Sequence, residues 1–143
     1  MKLIDVLLVE DNEGDIVLTT EALQEGKLAN KISVVKDGVE ALEFLEKKGV
    51  YKDAVTPDLI LLDINLPKMN GHEVLKKIKS IDHLKHLPVI ILSTSSSKED
   101  IMNSYKNYAN CYITKPVDAN DFLKVVSSIE DFWISVVQLP KKD

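Results

Sequence analysis

Apolar runs alternate with segments of helical period along all 143 residues. "LIDVLLVE" (3–10) predicts a first strand, and residues 13–26 predict a helix closed by Gly26. "KISVV" (31–35) predicts a second strand. Asp37 then opens a helix, with Glu40 three residues on at capping-box spacing. Val39, Leu42 and Leu45 form its buried stripe, and Gly49 ends it. "DLILLD" (58–63) predicts the third strand, ahead of a helix with Val74, Ile78 and Ile81 on one face. "PVIILS" (88–93) predicts the fourth. A helix capped by Ser97 carries Ile101, Tyr105 and Tyr108 at helical spacing. "CYIT" (111–114) is the fifth strand, and a long helix runs from Ala119 to Val137 before Pro140.

A helix follows every strand, so neighbouring strands are joined by crossovers and must pair in parallel. The strands are apolar throughout, as required when helices cover both faces of the sheet. The expected fold is α/β: a doubly wound five-stranded parallel sheet of flavodoxin-like order 2-1-3-4-5, in a single domain over residues 1–143.

Composition narrows the class. With 45% hydrophobic and 29% charged residues, the chain reads as an ordinary soluble globular protein. A net charge of −5 argues against nucleic acid, which is bound through basic stripes. "KKIK" (76–79) and "KKD" (141–143) are short and read as solvated surface. No apolar run reaches bilayer-spanning length and no secretory leader opens the chain, so no membrane partner and a cytoplasmic location are expected. The single cysteine, Cys111, has no internal partner and is expected to pack as a small apolar group.

The stretch "DLILLDINLPKMNG" (58–71) raises the chemical question, because a core-like strand ends on an acid. Ligands of such sheets bind outside the carboxyl ends of the strands. Four of those ends are polar here: Glu10 and Asp11, Asp63, Ser93 with Thr94, and Lys115. Three crowded acids repel one another unless a cation sits among them, and hard oxygen ligands suit Mg²⁺. A carboxylate can attack phosphorus to give an aspartyl phosphate. That transfer needs mostly positioning and charge neutralisation, by a metal, a lysine and a hydroxyl. Asp63 is therefore the expected phosphoacceptor. Taken singly, it would be a turn former, and Lys115–Pro116 a strand exit whose proline permits a cis bond. The company of the other strand ends decides the matter. His72 is expected exposed in a first helical turn. His83 and His86 are expected on the surface, with no third ligand near them.

On "LLVEDN", "PDLILLDINLPKMNG", "PVIILSTSS" and "CYITKPV", the chain resembles the receiver domain of two-component response regulators over essentially its full length. The resemblance implies that Glu10 and Asp11 are the acidic metal pair and Asp63 the phosphoacceptor. It makes the backbone carbonyl of Asn65 a further Mg²⁺ ligand. Ser93 matches the switch hydroxyl, Lys115 the phosphate-binding lysine and Tyr112 the aromatic switch, with Asn65 and Thr94 tuning dephosphorylation. Glu10 departs from the Asp of many members, and Ser93 lacks the methyl of a Thr. The implied partner is a histidine kinase, and the chain itself is a phosphoacceptor rather than an enzyme with a separate substrate. "KKGVYKDAVTPD" (47–58) and "SIEDFWISVVQLP" (128–140) resemble the stand-alone regulators of bacterial and cyanobacterial phytochrome kinases. Such a regulator carries no output domain and signals through protein contacts.

Two other classes compete. A phosphatase of the haloacid-dehalogenase type also uses a strand-end Asp, but needs a second acid two residues on, where Asn65 stands. A flavodoxin-like flavin carrier needs a phosphate cradle in its first loop, where "VEDNEGD" (9–15) is acidic. The last helix adds an interaction surface. Phe122, Val126, Ile129, Phe132, Trp133 and Val137 belong to an apolar arc wider than the ~100° a sheet-covering helix needs. The surplus covers the first helix of the same chain or a second copy. Phe132 and Trp133, late in the helix, favour a homodimer.

Overall fold

The computed structural model describes residues 3–26 and 29–140, apart from the side chains of residues 30, 135 and 136. The tail "KKD" lies outside them. Five strands alternate with five helices: β1 (Ile4–Val9), α1 (Glu13–Gly26), β2 (Ala29–Val35), α2 (Gly38–Glu46), β3 (Leu59–Leu62), α3 (Gly71–Ser80), β4 (Val89–Ser93), α4 (Lys98–Lys106), β5 (Cys111–Thr114) and α5 (Ala119–Ile129). All four pairings are parallel, in the order β2-β1-β3-β4-β5. The doubly wound reading holds. Among the described residues, no helix is long and apolar enough to cross a membrane.

Strand periodicity divides the core in two. Leu7, Val9, Ile60, Leu62 and Ile91 face α2 and α3, meeting Leu45, Val74, Leu75 and Ile78. Val6, Leu8, Leu59, Leu61 and Ile90 face α1 and α5, meeting Leu23, Phe122, Val126 and Ile129. Each fully buried leucine contributes about 2 kcal/mol by removal from water, and both faces of β3 are filled this way.

Local signals set the helix ends, with several corrections to the sequence reading. Asp37 caps α2 by accepting from Glu40 N–H at 2.7 Å. The return half of that box is not made, because the Glu40 carboxylate accepts the Tyr51 hydroxyl instead. The reciprocal box forms at α3, between Asn70 and Glu73. Helix α2 ends at Lys47, which takes the left-handed conformation (φ 57°), and Gly49 opens a 3-10 turn beyond it. Val39 is exposed; the buried face of α2 is Ala41, Leu42, Phe44 and Leu45, because that face is turned to the sheet. Ser97 caps α4 as expected, accepting from Asp100 N–H at 3.1 Å. Helix α4 covers little of the sheet, so Tyr105 and Tyr108 are exposed and Ser104 is its buried residue.

The long last helix is two pieces. Helix α5 stops at Ile129, and Glu130–Val136 continues as a π-helical turn, closed by Val137 N–H on the Phe132 carbonyl at 2.8 Å. Ile129, Trp133 and Ile134 pack against the α1/α5 core while Glu130 is buried.

A carboxylate and lysine cluster at the strand ends

The sheet ladder continues one residue beyond three strands, and this builds the site. Glu10 N–H reaches the Val35 carbonyl at 3.0 Å, Asp63 N–H the Val9 carbonyl at 3.0 Å, and Lys115 N–H the Ser93 carbonyl at 2.6 Å. Backbone pairing thus fixes Glu10, Asp63 and Lys115 on one edge. All three are buried, as is the Ser93 side chain at the end of β4. Asp11, Asn65 and Thr94 are exposed at the rim. Glycine permits the approach of α3 to this edge, since a Cβ on Gly71 would lie 2.2 Å from the Asp63 carbonyl oxygen.

Lys115 is the hub. Its Nζ pairs with Glu10 Oε1, lies 2.9 Å from Asp15 Oδ2 and 3.4 Å from Asp63 Oδ2. Burial pulls the ammonium's pKa down, yet its bonds to Glu10 and Asp15 and the charge of Asp63 outweigh this, and the net shift is upward. Glu10 Oε2 accepts from the N–H groups of Asp11 and Asn12 at 3.1 and 3.2 Å. Burial pushes the Glu10 carboxyl up to about 7; the Lys115 bond lowers it and neighbouring Asp63 raises it. Asp63 Oδ1 accepts from Ile64 N–H at 2.7 Å, which fixes its rotamer.

Glu10, Asp11 and Asp63 each offer an oxygen, and these oxygens lie within 4.8 Å of one another. A hard divalent cation fits this all-oxygen donor set. It would also stabilise the ionised form of Glu10, which burial disfavours.

Sequence reasoning brought Glu10, Asp11, Asp63, Ser93 and Lys115 to one edge, and the structure places them there. It missed Asp15. Asp11 precedes α1, which begins at Glu13, so no helical spacing ties Asp15 to the strand-end acids in the sequence. Lys115 points inward without the cis bond, because no cis peptide occurs among the described residues. Tyr112 is half-buried, and its hydroxyl donates to the Ser95 carbonyl at 2.7 Å. His72 is not exposed; it is half-buried against α4, with Nε2 2.9 Å from Asp100 Oδ1. His83 and His86 are exposed, as expected. Cys111 is half-buried against the α1/α5 core, and burial pushes its thiol up. The expected interface pair divides: Phe132 is 55% exposed, whereas Trp133 packs on the core.

Residues 6–127 match the response regulator receiver domain. Response regulator Rcp1 of Synechocystis sp. is 42% identical over 135 residues, covering 94% of this chain and 92% of Rcp1. The crystal structure of the phosphorylated cyanobacterial phytochrome response regulator RcpA superposes with a TM-score of 0.94 at 46% identity, covering 97% of this chain and 99% of RcpA. The Mn²⁺-bound form of Rcp1 gives 0.93 at 41% identity, over 96% of this chain and 99% of that structure. The phosphatase alternative finds no support among these relatives. The chain belongs to the response regulator receiver family and is a phosphorelay signalling protein, similar over nearly its full length to response regulator Rcp1 and to the cyanobacterial phytochrome response regulator RcpA.

Proposed function

We propose that Asp63 accepts a phosphoryl group from the phosphohistidine of a histidine kinase, with Mg²⁺ held by Glu10, Asp11, Asp63 and the Asn65 carbonyl. The observation that carries this reading is the convergence of three carboxylate oxygens within 4.8 Å, with Lys115 Nζ 3.4 Å from Asp63. The Mn²⁺-bound Rcp1 structure and the phosphorylated form of RcpA lend it support.

A carboxylate oxygen of Asp63 attacks phosphorus, an O–P bond forms, and the P–N bond to the donor imidazole breaks, its electron pair staying on the ring nitrogen. A divalent cation held by these residues would supply charge neutralisation for the transfer. Backbone pairing and the Ile64 N–H hold Asp63 in place, so little reorganisation is needed. Lys115 already lies beside Asp63 and neutralises a phosphoryl oxygen there. Ser93 then turns its hydroxyl to the phosphoryl group, and Tyr112 follows into the space vacated. Exposed Asn65 and Thr94 border the water that hydrolyses the aspartyl phosphate. They set its lifetime.

The chain acts as one receiver domain over 1–143, in the cytoplasm, catalysing only its own phosphorylation and dephosphorylation. Its similarity to phytochrome and bacteriophytochrome response regulators favours a phytochrome kinase as donor. The output passes through protein contacts, including a homodimer at the C-terminal end around Phe132 and Trp133.

Intact-mass spectrometry with acetyl phosphate tests the core of this reading. One phosphoryl group is expected on the wild type with Mg²⁺, and none with EDTA or in Asp63→Asn. Equal labelling of the Asn variant, or labelling indifferent to EDTA, overturns the assignment.

A further inference from the structure

A continuous polar chain links α3 to both residues of the proposed switch. His72 Nε2 is 2.9 Å from Asp100 Oδ1, and Asp100 Oδ2 accepts the Ser95 hydroxyl. Ser95 donates its N–H to Ser93 Oγ at 3.2 Å and accepts the Tyr112 hydroxyl on its carbonyl at 2.7 Å. Ser95 is therefore the node: one side chain bonds α4, and its backbone touches both switch residues. At the far end of the chain, His72 directly follows Gly71, the residue that lets α3 sit against the Asp63 carbonyl.

Two further observations define what this chain does. The Asp100 carboxyl is held below its ordinary range by the Ser95 hydroxyl and then by His72, so it is an ionised acceptor for both. His72 Nδ1, in contrast, is buried with no partner among the described residues. An unsatisfied buried nitrogen costs free energy, which offsets part of what the Nε2 contact with Asp100 contributes. Helix stabilisation is the plainer role for Asp100, which lies in the first turn of α4 where an acid complements the dipole. That role does not account for both carboxylate oxygens being engaged by side chains outside α4.

We propose that His72 and Asp100 form a clamp that positions Ser95, and through it Ser93 and Tyr112, so that the seating of α4 on α3 sets how readily the switch rearranges. Asp100 and His72 are positioning residues; neither contacts the acids of the site. A protein partner that draws α4 away from α3 would release Ser95 without touching Asp63. This inference rests on the switch roles of Ser93 and Tyr112 proposed above.

The test compares the unphosphorylated full chain with Asp100→Ala, His72→Ala and His72→Gln by amide hydrogen exchange and NMR shifts. Protection of the Ser95 N–H should fall about tenfold in both alanine variants, with the Tyr112 ring resonances moving at the same time. His72→Gln should remain near wild type, because its side-chain amide can still donate to Asp100. Ser95 protection within about twofold of wild type in both alanine variants, unmoved Tyr112 resonances, or losses confined to residues 98–106 would each overturn the clamp. Labelling of the wild type by acetyl phosphate and Mg²⁺ is read in the same samples. A wild type that takes no phosphate refutes the phosphoacceptor reading, while the clamp is judged on the unphosphorylated variants alone.

Discussion

Glu10 and Glu130 are both nearly sealed from solvent, at 3% and 6% exposure, yet among the described residues only Glu10 has a partner on each carboxylate oxygen. Glu10 sits at the strand ends with Lys115 on one oxygen and two backbone N–H groups on the other. Glu130 lies at the opposite extreme of organisation, where α5 passes into the π turn, and its Oε2 has no partner among the described residues. Its carboxylate covers Gly26 at the end of α1 so closely that a Cβ there would meet Oε1 at 1.3 Å. The carbonyl end of a helix is electronegative, which makes this a poor place for an anion. Burial, and then Asp131, push the Glu130 carboxyl up. Both acids are thus raised, but for different ends. At the strand edge, donors and acids converge from four strands, and the unfavourable charge is available to an incoming cation. At the C-terminal end, no such set forms among the described residues. A buried acid signals chemistry only where its neighbours form a set, and otherwise it is a stability cost.

Breaking the set at the strand edge should have the largest effect. Lys115→Ala leaves Glu10 buried beside Asp63 and Asp15 without a cation, and losing one partner of a buried pair costs about 3 kcal/mol. Glu10 can answer by taking up a proton. Its folded pKa, already about 7 against an ordinary 4.5, would rise further. An acid with a raised folded pKa incurs no penalty below its unfolded value and a growing one as pH rises towards the folded value. The destabilisation should therefore be small at pH 4 and largest above pH 8, and added Mg²⁺ should recover part of it. Urea unfolding across this range, with and without Mg²⁺, measures both trends. A deficit independent of pH and metal would show that Lys115 does not compensate the acids.

The C-terminal end is held by its apolar contacts. Trp133 packs on the α1/α5 core, as do Leu139 and Ile134. Trp133→Ala should cost about 2 kcal/mol, less than the loss of a fully buried aromatic. A midpoint unchanged in urea would mean that the π turn contributes nothing to the domain's stability.

The contrast between the two regions also explains what could be read from the sequence. Parallel pairing followed from uniformly apolar strands joined by helices, and the site followed from polar residues at strand ends, because backbone pairing alone fixes where those residues lie. Helix-borne contacts were harder. Asp15 and His72 reach their partners only through the rotation of α1 and α3 against the sheet, which neither spacing nor composition records. Val39, Tyr105 and Tyr108 had helical spacing and still face solvent, since a periodic stripe does not say whether the sheet reaches that far. The π turn was illegible for a related reason. An apolar arc covering nearly half a helix fits a period of 3.6 and a wider one equally well, and the burial of Glu130 breaks the pattern that would have told them apart.

Glu130 itself offers a test of the opposite sign to Lys115. Glu130→Gln removes an anion whose Oε2 has no partner among the described residues, and should stabilise the protein by about 1 kcal/mol at pH 8, the low end for an unsatisfied buried group because Gln also needs partners. Sign and window follow from the raised folded pKa. Below the ordinary value of 4.5 the acid is protonated in both states and the variant gains nothing. The gain should appear as pH rises above that value and then level off. Thermal melts at pH 4 and pH 8 measure it. A variant less stable than wild type at pH 8 would show that Glu130 has a partner in solution that relieves its charge.

The smallest effect on stability belongs to Phe132, and it separates folding from association. Its ring is 55% exposed and meets Trp133 edge-on, with centroids 5.8 Å apart. Most of what Phe132→Ala removes is already in water, so folding should change by less than about 0.5 kcal/mol. If the proposed homodimer forms at this end, the same ring is buried at its interface, where exposed aromatics carry much of the binding energy. Sedimentation velocity should then show Phe132→Ala shifting dimer to monomer at a protein concentration where the wild type is associated, with an unchanged melt. Trp133→Ala cannot make this distinction, because it loosens the fold as well. A wild type that stays monomeric, unmodified and phosphorylated alike, would leave Phe132 as a surface side chain and remove the homodimer from the output of the domain.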